Sequence, residues 1–266
     1  MCYDISYRIM LDTLHEYFGK NIVFDDPELE IDPITGMHVI GHSYSKQRIV
    51  LFEDGVYKGK RSEWGLIAGY MNTPEKVKKQ RALMLNARSE KVLGDRNSVW
   101  HRIRNQRCLM PVTGIYEHRE IKGWKQKVPY YITLKNRSLF CIPGLWNYSP
   151  LANPETGEVT ITHAILTRGA NSVMRNIHNG GENAYRMPLF LPKDMEAEWL
   201  DPNLTDEGMQ QILDYEMPAE ELEYHPVFSI RTTKPHPAGG NKMDRYDWPN
   251  LPPLGVDGGD IQGALF

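Results

Sequence analysis

The residue with the most chemistry to offer is a cysteine directly after the initiator methionine. Cys2 follows Met1 and has a side chain small enough for methionine removal, so the mature chain is expected to begin with it. An amino-terminal cysteine carries an α-amine and a thiol on adjacent carbons. Their reference pKa values, about 7.7–8.0 and about 8.5, leave both partly deprotonated near neutral pH. Such a pair can attack one carbonyl carbon twice: the amine forms an imine, and the thiol then closes a five-membered thiazolidine ring. The thiol alone can instead act as the nucleophile of an acyl transfer.

Four further segments place reactive or planar polar groups beside turn residues. They are WGLI (Trp64 to Ile67), NARSE (Asn86 to Glu90), GIYEH (Gly114 to His118) and IHNGGENAYRMP (Ile177 to Pro188). Together with the Met-Cys start and RCLMP (Arg107 to Pro111), their order and spacing resemble the SRAP family, the SOS response-associated peptidases. The resemblance spans roughly residues 1–200. Weaker family segments match at Tyr130-Tyr131, Pro143-Gly144-Leu145-Trp146 and Ile165-Leu166-Thr167. The resemblance implies covalent capture of abasic sites in single-stranded DNA, through a thiazolidine between Cys2 and the ring-opened sugar. It also implies autocatalytic removal of Met1, and a place in the SOS response and DNA repair. By matched position, Cys2 is the nucleophile and Asn86 holds the terminal amine and the sugar oxygen. Glu117 shuttles protons, and His178 is a second acid/base. Arg88 grips a phosphate beside the lesion, Arg186 is the basic residue before Met-Pro, and Thr167 falls with the DNA-contacting set.

The residue types suit that chemistry on their own terms. Opening a sugar hemiacetal, dehydrating a carbinolamine and adding a thiol each move a proton, which a carboxylate and an imidazole can serve. An Asn amide donates and accepts at once. Arginine's planar fork clamps phosphate better than lysine does. Trp64 is placed to stack on the base beside the gap. Three departures stand out. The family's common Cys-Gly-Arg-Phe start is here Cys2-Tyr3-Asp4-Ile5, its YEW is Tyr116-Glu117-His118, and GGENAY separates Asn179 from Arg186.

The elements that must position these residues follow from patterning. Tyr3, Ile5, Tyr7 and Ile9 alternate as in a strand, and Leu11, Leu14 and Phe18 fall at helical spacing before Gly19. Residues 20–45 read as loop. Strands are expected at 47–53, 109–116, 129–135, 138–145 and 158–167, and helices at 74–85, 97–106, 193–200 and 205–214. Strands in runs with helices between them, without a βαβ period, imply an α+β fold: one domain around a mostly antiparallel sheet with flanking helices. The domain is expected to span 1–230, followed by a Pro/Gly-rich tail over 231–266, draped on the surface or disordered.

In a chain of 266 residues, 41% apolar and 24% charged residues are ordinary for a soluble globular protein. No stretch approaches the roughly 20 apolar residues of a membrane span. MCYDISYRIML has no basic n-region, so no signal peptide is read. Cys2, Cys108 and Cys141 form no CxxC pair and the nine histidines lack ligand spacing, which points to the cytoplasm and to no metal or cofactor; a monomer is expected. Charge is uneven. Residues 75–107 hold ten Lys/Arg against three Asp/Glu, the footprint of a phosphate-backbone binder, and residues 194–223 hold eleven Asp/Glu and no Lys/Arg. At the end of the chain, Gln262, Leu265 and Phe266 fit the Q-x-x-L-F pattern of peptides that dock on the bacterial sliding clamp. Two other functions suit the same residues: an N-terminal-nucleophile cysteine peptidase or amidase, and a non-catalytic reader of modified DNA.

Overall fold

In the structure, a computed structural model, the described residues are 2–8, 11–25 and 38–257. The first half runs β1 (Asp4–Ser6), α1 (Leu11–Phe18), β2 (Val23–Phe24), β3 (Val39–Ile40), β4 (Lys46–Glu53), β5 (Val56–Trp64), α2 (Pro74–Gln80), β6 (Asn86–Arg88), α3 (Val99–Arg102) and β7 (Arg107–Val112). The second runs β8 (Gly114–Arg119), β9 (Val128–Leu134), β10 (Phe140–Ala152), β11 (Val159–Gly169), α4 (Ser172–Ile177), β12 (Arg186–Pro188), α5 (Lys193–Trp199), α6 (Asp206–Asp214) and β13 (Leu222–Pro226).

Two sheets carry the α+β fold. The five-stranded sheet, β13-β9-β8-β1-β3, is antiparallel throughout. In the other, β12-β11-β10-β7-β4-β5-β2, β5 also pairs in parallel with β11, so β11, β10, β7, β4 and β5 close into a barrel. The short β6 adds to β11, also in parallel.

Local chemistry explains where the elements differ from expectation. Val56–Trp64 is a full strand that its lysines disguise. The hairpin before it turns on Asp54-Gly55, whose φ values of 56° and 79° are the left-handed pair that matches strand twist. Lys58 and Lys60 then pair with Glu53 on the neighbouring strand. The apolar run 109–116 is not one strand but parts of two. The chain leaves the barrel at Thr113 and enters the other sheet at Gly114, where any Cβ would lie 2.4 Å from the Tyr131 ring. The Ser6 and Thr113 hydroxyls, 2.8 Å apart, fasten β1 at this crossing. The α2 helix is capped by Thr73 and ends at Gln80, while the segment expected at 97–106 holds a single helical turn.

Alternate residues of the barrel strands serve two cores, as a period of two requires. Cys108, Met110, Ile142 and Ile165 pack with Cys2, Ile5, Ile115 and Ile132. Leu109, Cys141, Leu145 and Leu166 pack with Trp199, Met209 and Ile212 on α5 and α6. The basic segment is not a continuous stripe. Arg81 is buried, 2.6 Å from Glu63 and over the Tyr44 ring, and Arg107 donates to the carbonyls of Trp199 and Asp201.

Residues 231–257 lie against the rest of the chain. Fully buried Arg119 donates to the carbonyls of Pro252 and Pro253 and pairs with Asp257, and the Trp248 indole donates to Val227. Gln262, Leu265 and Phe266 lie outside the described residues. Among the described residues no helix is long and apolar enough to cross a membrane.

Candidate active site

Cys2 precedes β1, whose pairing sets Asp4 opposite Tyr116 on β8 and so brings the amino-terminal segment beside Glu117. Its side chain is fully buried, with the thiol donating to the Asp4 carbonyl at 3.6 Å. Burial first, then the charges of Glu117 and Asp4, push the thiol well above its ordinary pKa. At neutral pH the group is a thiol, not a thiolate.

Asn86 reaches it from β6. Its Nδ2 donates to the Cys2 carbonyl at 2.9 Å, and its buried Oδ1 has no hydrogen-bond partner among the described residues. The parallel pairing of β6 with β11 fixes this side chain, with Asn86 opposite Ile165. Glu117 is 4% exposed, and burial lifts its carboxyl to about 7. Its Oε1 is also buried without a partner among the described residues. His178 caps the C-terminal end of α4. Burial lowers it to about 4, so the ring is neutral, and Nδ1–H donates to the Arg186 carbonyl at 2.7 Å. That bond leaves Nε2 as the basic nitrogen, 3.9 Å from Glu117 Oε2, beyond hydrogen-bond length.

The inserted residues loop back onto His178. The backbone N–H of Tyr185 donates to the His178 carbonyl at 2.8 Å, and the left-handed turns at Gly181 (φ 89°) and Tyr185 (φ 62°) close the loop. Residues 180–183 then line one wall of a cleft of about 470 Å³, together with Tyr3, Glu117, His118, Lys127, His178 and Arg231.

Cys2, Asn86, Glu117 and His178 are thus brought together; the four residues assigned to DNA are not all surface groups. Arg88 is exposed, with Nη2 3.4 Å from Asn183 Oδ1. Arg186 is committed to the chain itself, donating to the Thr167 carbonyl at 2.7 Å and to Glu90 at 2.9 Å. Trp64 is fully buried and its indole N–H donates to the Leu85 carbonyl at 2.8 Å, so it cannot stack on a base. It holds the backbone just ahead of Asn86 instead. Thr167 is fully buried as well, and its hydroxyl donates to Ala87. Sequence reasoning passed over Lys127 and Arg231, which carry no motif, and read Asp4 only as a departure.

The sequence model of the SOS response associated peptidase (SRAP) family matches residues 1–230. The chain belongs to this family. Among SRAP relatives, the abasic site processing protein YoqW of Bacillus subtilis is 34% identical over 170 residues, 63% of this chain and 68% of that protein. The abasic site processing protein HMCES of Gallus gallus is 27% identical over 186 residues, covering 62% of this chain and 51% of its own length. In three dimensions the chain is similar to a protein of Bacteroides thetaiotaomicron, with a TM-score of 0.73, 25% identity and coverage of 85% and 92% of the two chains.

Proposed function

We propose that this SRAP protein captures abasic sites in single-stranded DNA, forming a thiazolidine through Cys2 once Met1 is removed. The observation that carries this reading is the pair of buried acceptors without a partner among the described residues, Asn86 Oδ1 and Glu117 Oε1, placed around Cys2. Both await a donor, and an amine and a sugar hydroxyl are the donors the reaction supplies.

The raised thiol sets the order of events. The α-amine of Cys2 attacks the sugar aldehyde first, because the thiol is held protonated. Glu117, titrating near 7, gives its proton to the departing hydroxyl and takes the one on nitrogen as the carbinolamine loses water to become an imine. The S–H then adds across the C=N bond: sulfur bonds to carbon, and the proton passes through the Glu117 carboxylate to nitrogen. Neutral His178 takes the anomeric hydroxyl proton at Nε2 as the sugar ring opens and returns it to the departing ring oxygen. Arg88 holds a phosphodiester on the exposed face. Gln262, Leu265 and Phe266 are the proposed ligand of the sliding clamp.

The deciding experiment incubates the mature protein with an oligonucleotide containing one abasic site and resolves it on a denaturing gel. A heat-stable adduct is expected, with intact mass showing loss of Met1 and of one water on crosslinking. The same adduct from Cys2→Ala would overturn the reading. Deleting residues 262–266 should leave the adduct and abolish binding to purified clamp.

A further inference from the structure

The Asp4 side chain is only 3% exposed, two residues from the nucleophile. A buried carboxylate is costly unless paired and hydrogen-bonded. Two cationic or basic groups meet it: His38 Nε2 at 2.7 Å and Arg231, through Nη2 at 2.6 Å and Nε at 3.3 Å. Burial alone would raise the Asp4 carboxyl; these hydrogen bonds outweigh it and leave the group below its usual range.

Arg231 differs from the other arginine that fastens this region. Arg119 has no exposed side-chain area and already ties residues 252–257 down. The Arg231 side chain is 52% exposed and lines the same cleft as Glu117 and His178. Neither bond to Asp4 uses Nη1. Lys127, on the same cleft, is paired with Glu120 at 2.9 Å. Ser229 lines both this cleft and a second cavity of about 480 Å³, whose walls include Phe228, Thr232, Lys234, His236 and Lys242. Arg231 lines the first cavity and its chain neighbour Thr232 the second, and Arg231 lies one residue past the end of the family match.

We propose that Arg231, oriented by buried Asp4, is a ligand for a DNA phosphodiester adjoining the reacting sugar, so that the segment after residue 230 belongs to the DNA site. The second cavity, with its aromatic, hydroxyl and lysine walls, then takes the neighbouring nucleotide. This rests on the abasic-site reading, and its test is built to fail separately from it.

Binding of single-stranded DNA without a lesion is measured against salt in a Cys2→Ala background, which removes the chemistry. Each phosphate contact contributes about −0.7 to the slope of log affinity against log salt. Arg231→Gln should weaken binding and flatten the slope by about 0.7. Over a four-fold rise in salt, that is a loss of affinity about 2.6-fold smaller than in the parent. Arg231→Lys should keep the slope, because the charge remains while the fork on Asp4 is lost. Should Arg231→Gln fail to fold, the double variant Asp4→Asn/Arg231→Gln leaves no buried unpaired charge and should show the same flattening. A slope unchanged in the folded Gln variant or in the double variant overturns the proposal, as does a lysine variant that behaves like glutamine. Crosslinking by the parent protein with Cys2 restored is scored in parallel, so its absence would sink the abasic-site reading while the slopes still decide Arg231.

Discussion

Replacing Glu117 by Gln should shift the stability difference in the variant's favour as pH rises, and make the protein far less active. Burial lifts the Glu117 carboxyl from 4.5 to about 7. Between those values the folded protein still holds a proton that the unfolded chain has released. The associated stability is therefore fully present below about pH 4.5 and falls as pH rises through 7. At about 1.36 kcal/mol per pKa unit, the loss across that window is about 3 kcal/mol. A glutamine at this position cannot ionise and escapes it. The amide introduces N–H groups into a buried site, an offset of about 1–3 kcal/mol that does not vary with pH. What the structure fixes is thus the change in the stability difference, not its absolute value.

Urea denaturation of both proteins at pH 4.5, 6, 7 and 8 measures this directly. The difference should move by about 3 kcal/mol in favour of the variant between the first and last pH. His178, at about 4, titrates below this window and is common to both proteins. Crosslinking by the variant should be slower by about 10²–10⁴, the usual contribution of a positioned acid–base group. A stability difference flat from pH 4.5 to 8 would show that Glu117 titrates in the ordinary carboxylate range, and the proton-shuttle argument would fall with it.

Three further outcomes follow from the same geometry. Asn86→Ala removes the donor to the Cys2 carbonyl and should cost about 1–3 kcal/mol of stability while slowing single-turnover crosslinking at saturating DNA; unchanged rates would remove Asn86 from the site. Trp64→Phe should lower stability by about 1–3 kcal/mol through the lost bond to Leu85, yet leave DNA affinity untouched, whereas a stacking role would weaken binding by about 1–3 kcal/mol. Arg88→Ala should flatten the salt dependence of binding by about 0.7, and an unchanged slope would show that Arg88 meets no phosphate.

The α+β class and the grouping of the candidate site residues were legible in the sequence; the burial of individual side chains was not. The four side chains that the structure gathers, Cys2, Asn86, Glu117 and His178, come from short segments whose order and spacing, taken together, resemble the family. Burial is not written that way. Trp64 in WGLI reads as a stacking group until β5 is seen to be a barrel strand that turns the ring inward. Thr167 likewise depends on β6 lying against β11, a pairing between residues 79 positions apart at Arg88 and Thr167. The break at Thr113 interrupts no apolar pattern; it exists because the next residue must fit under the Tyr131 ring.

Asp4 shows the same limit most sharply. In sequence it is a carboxylate where a short strand of alternating residues begins, and nothing nearby says whether it faces solvent or the core. Its meaning comes from Arg231, 227 residues later, and from His38. Once those contacts are known the logic reverses. A carboxylate buried two residues from Cys2, in a cleft proposed to receive DNA, would repel that ligand if left alone. Paired with Arg231 it becomes the anchor that aims a half-exposed guanidinium across the cleft. The acidic residue beside Cys2 thus belongs to an anion site, a conclusion that its own charge argues against and only its partners reveal.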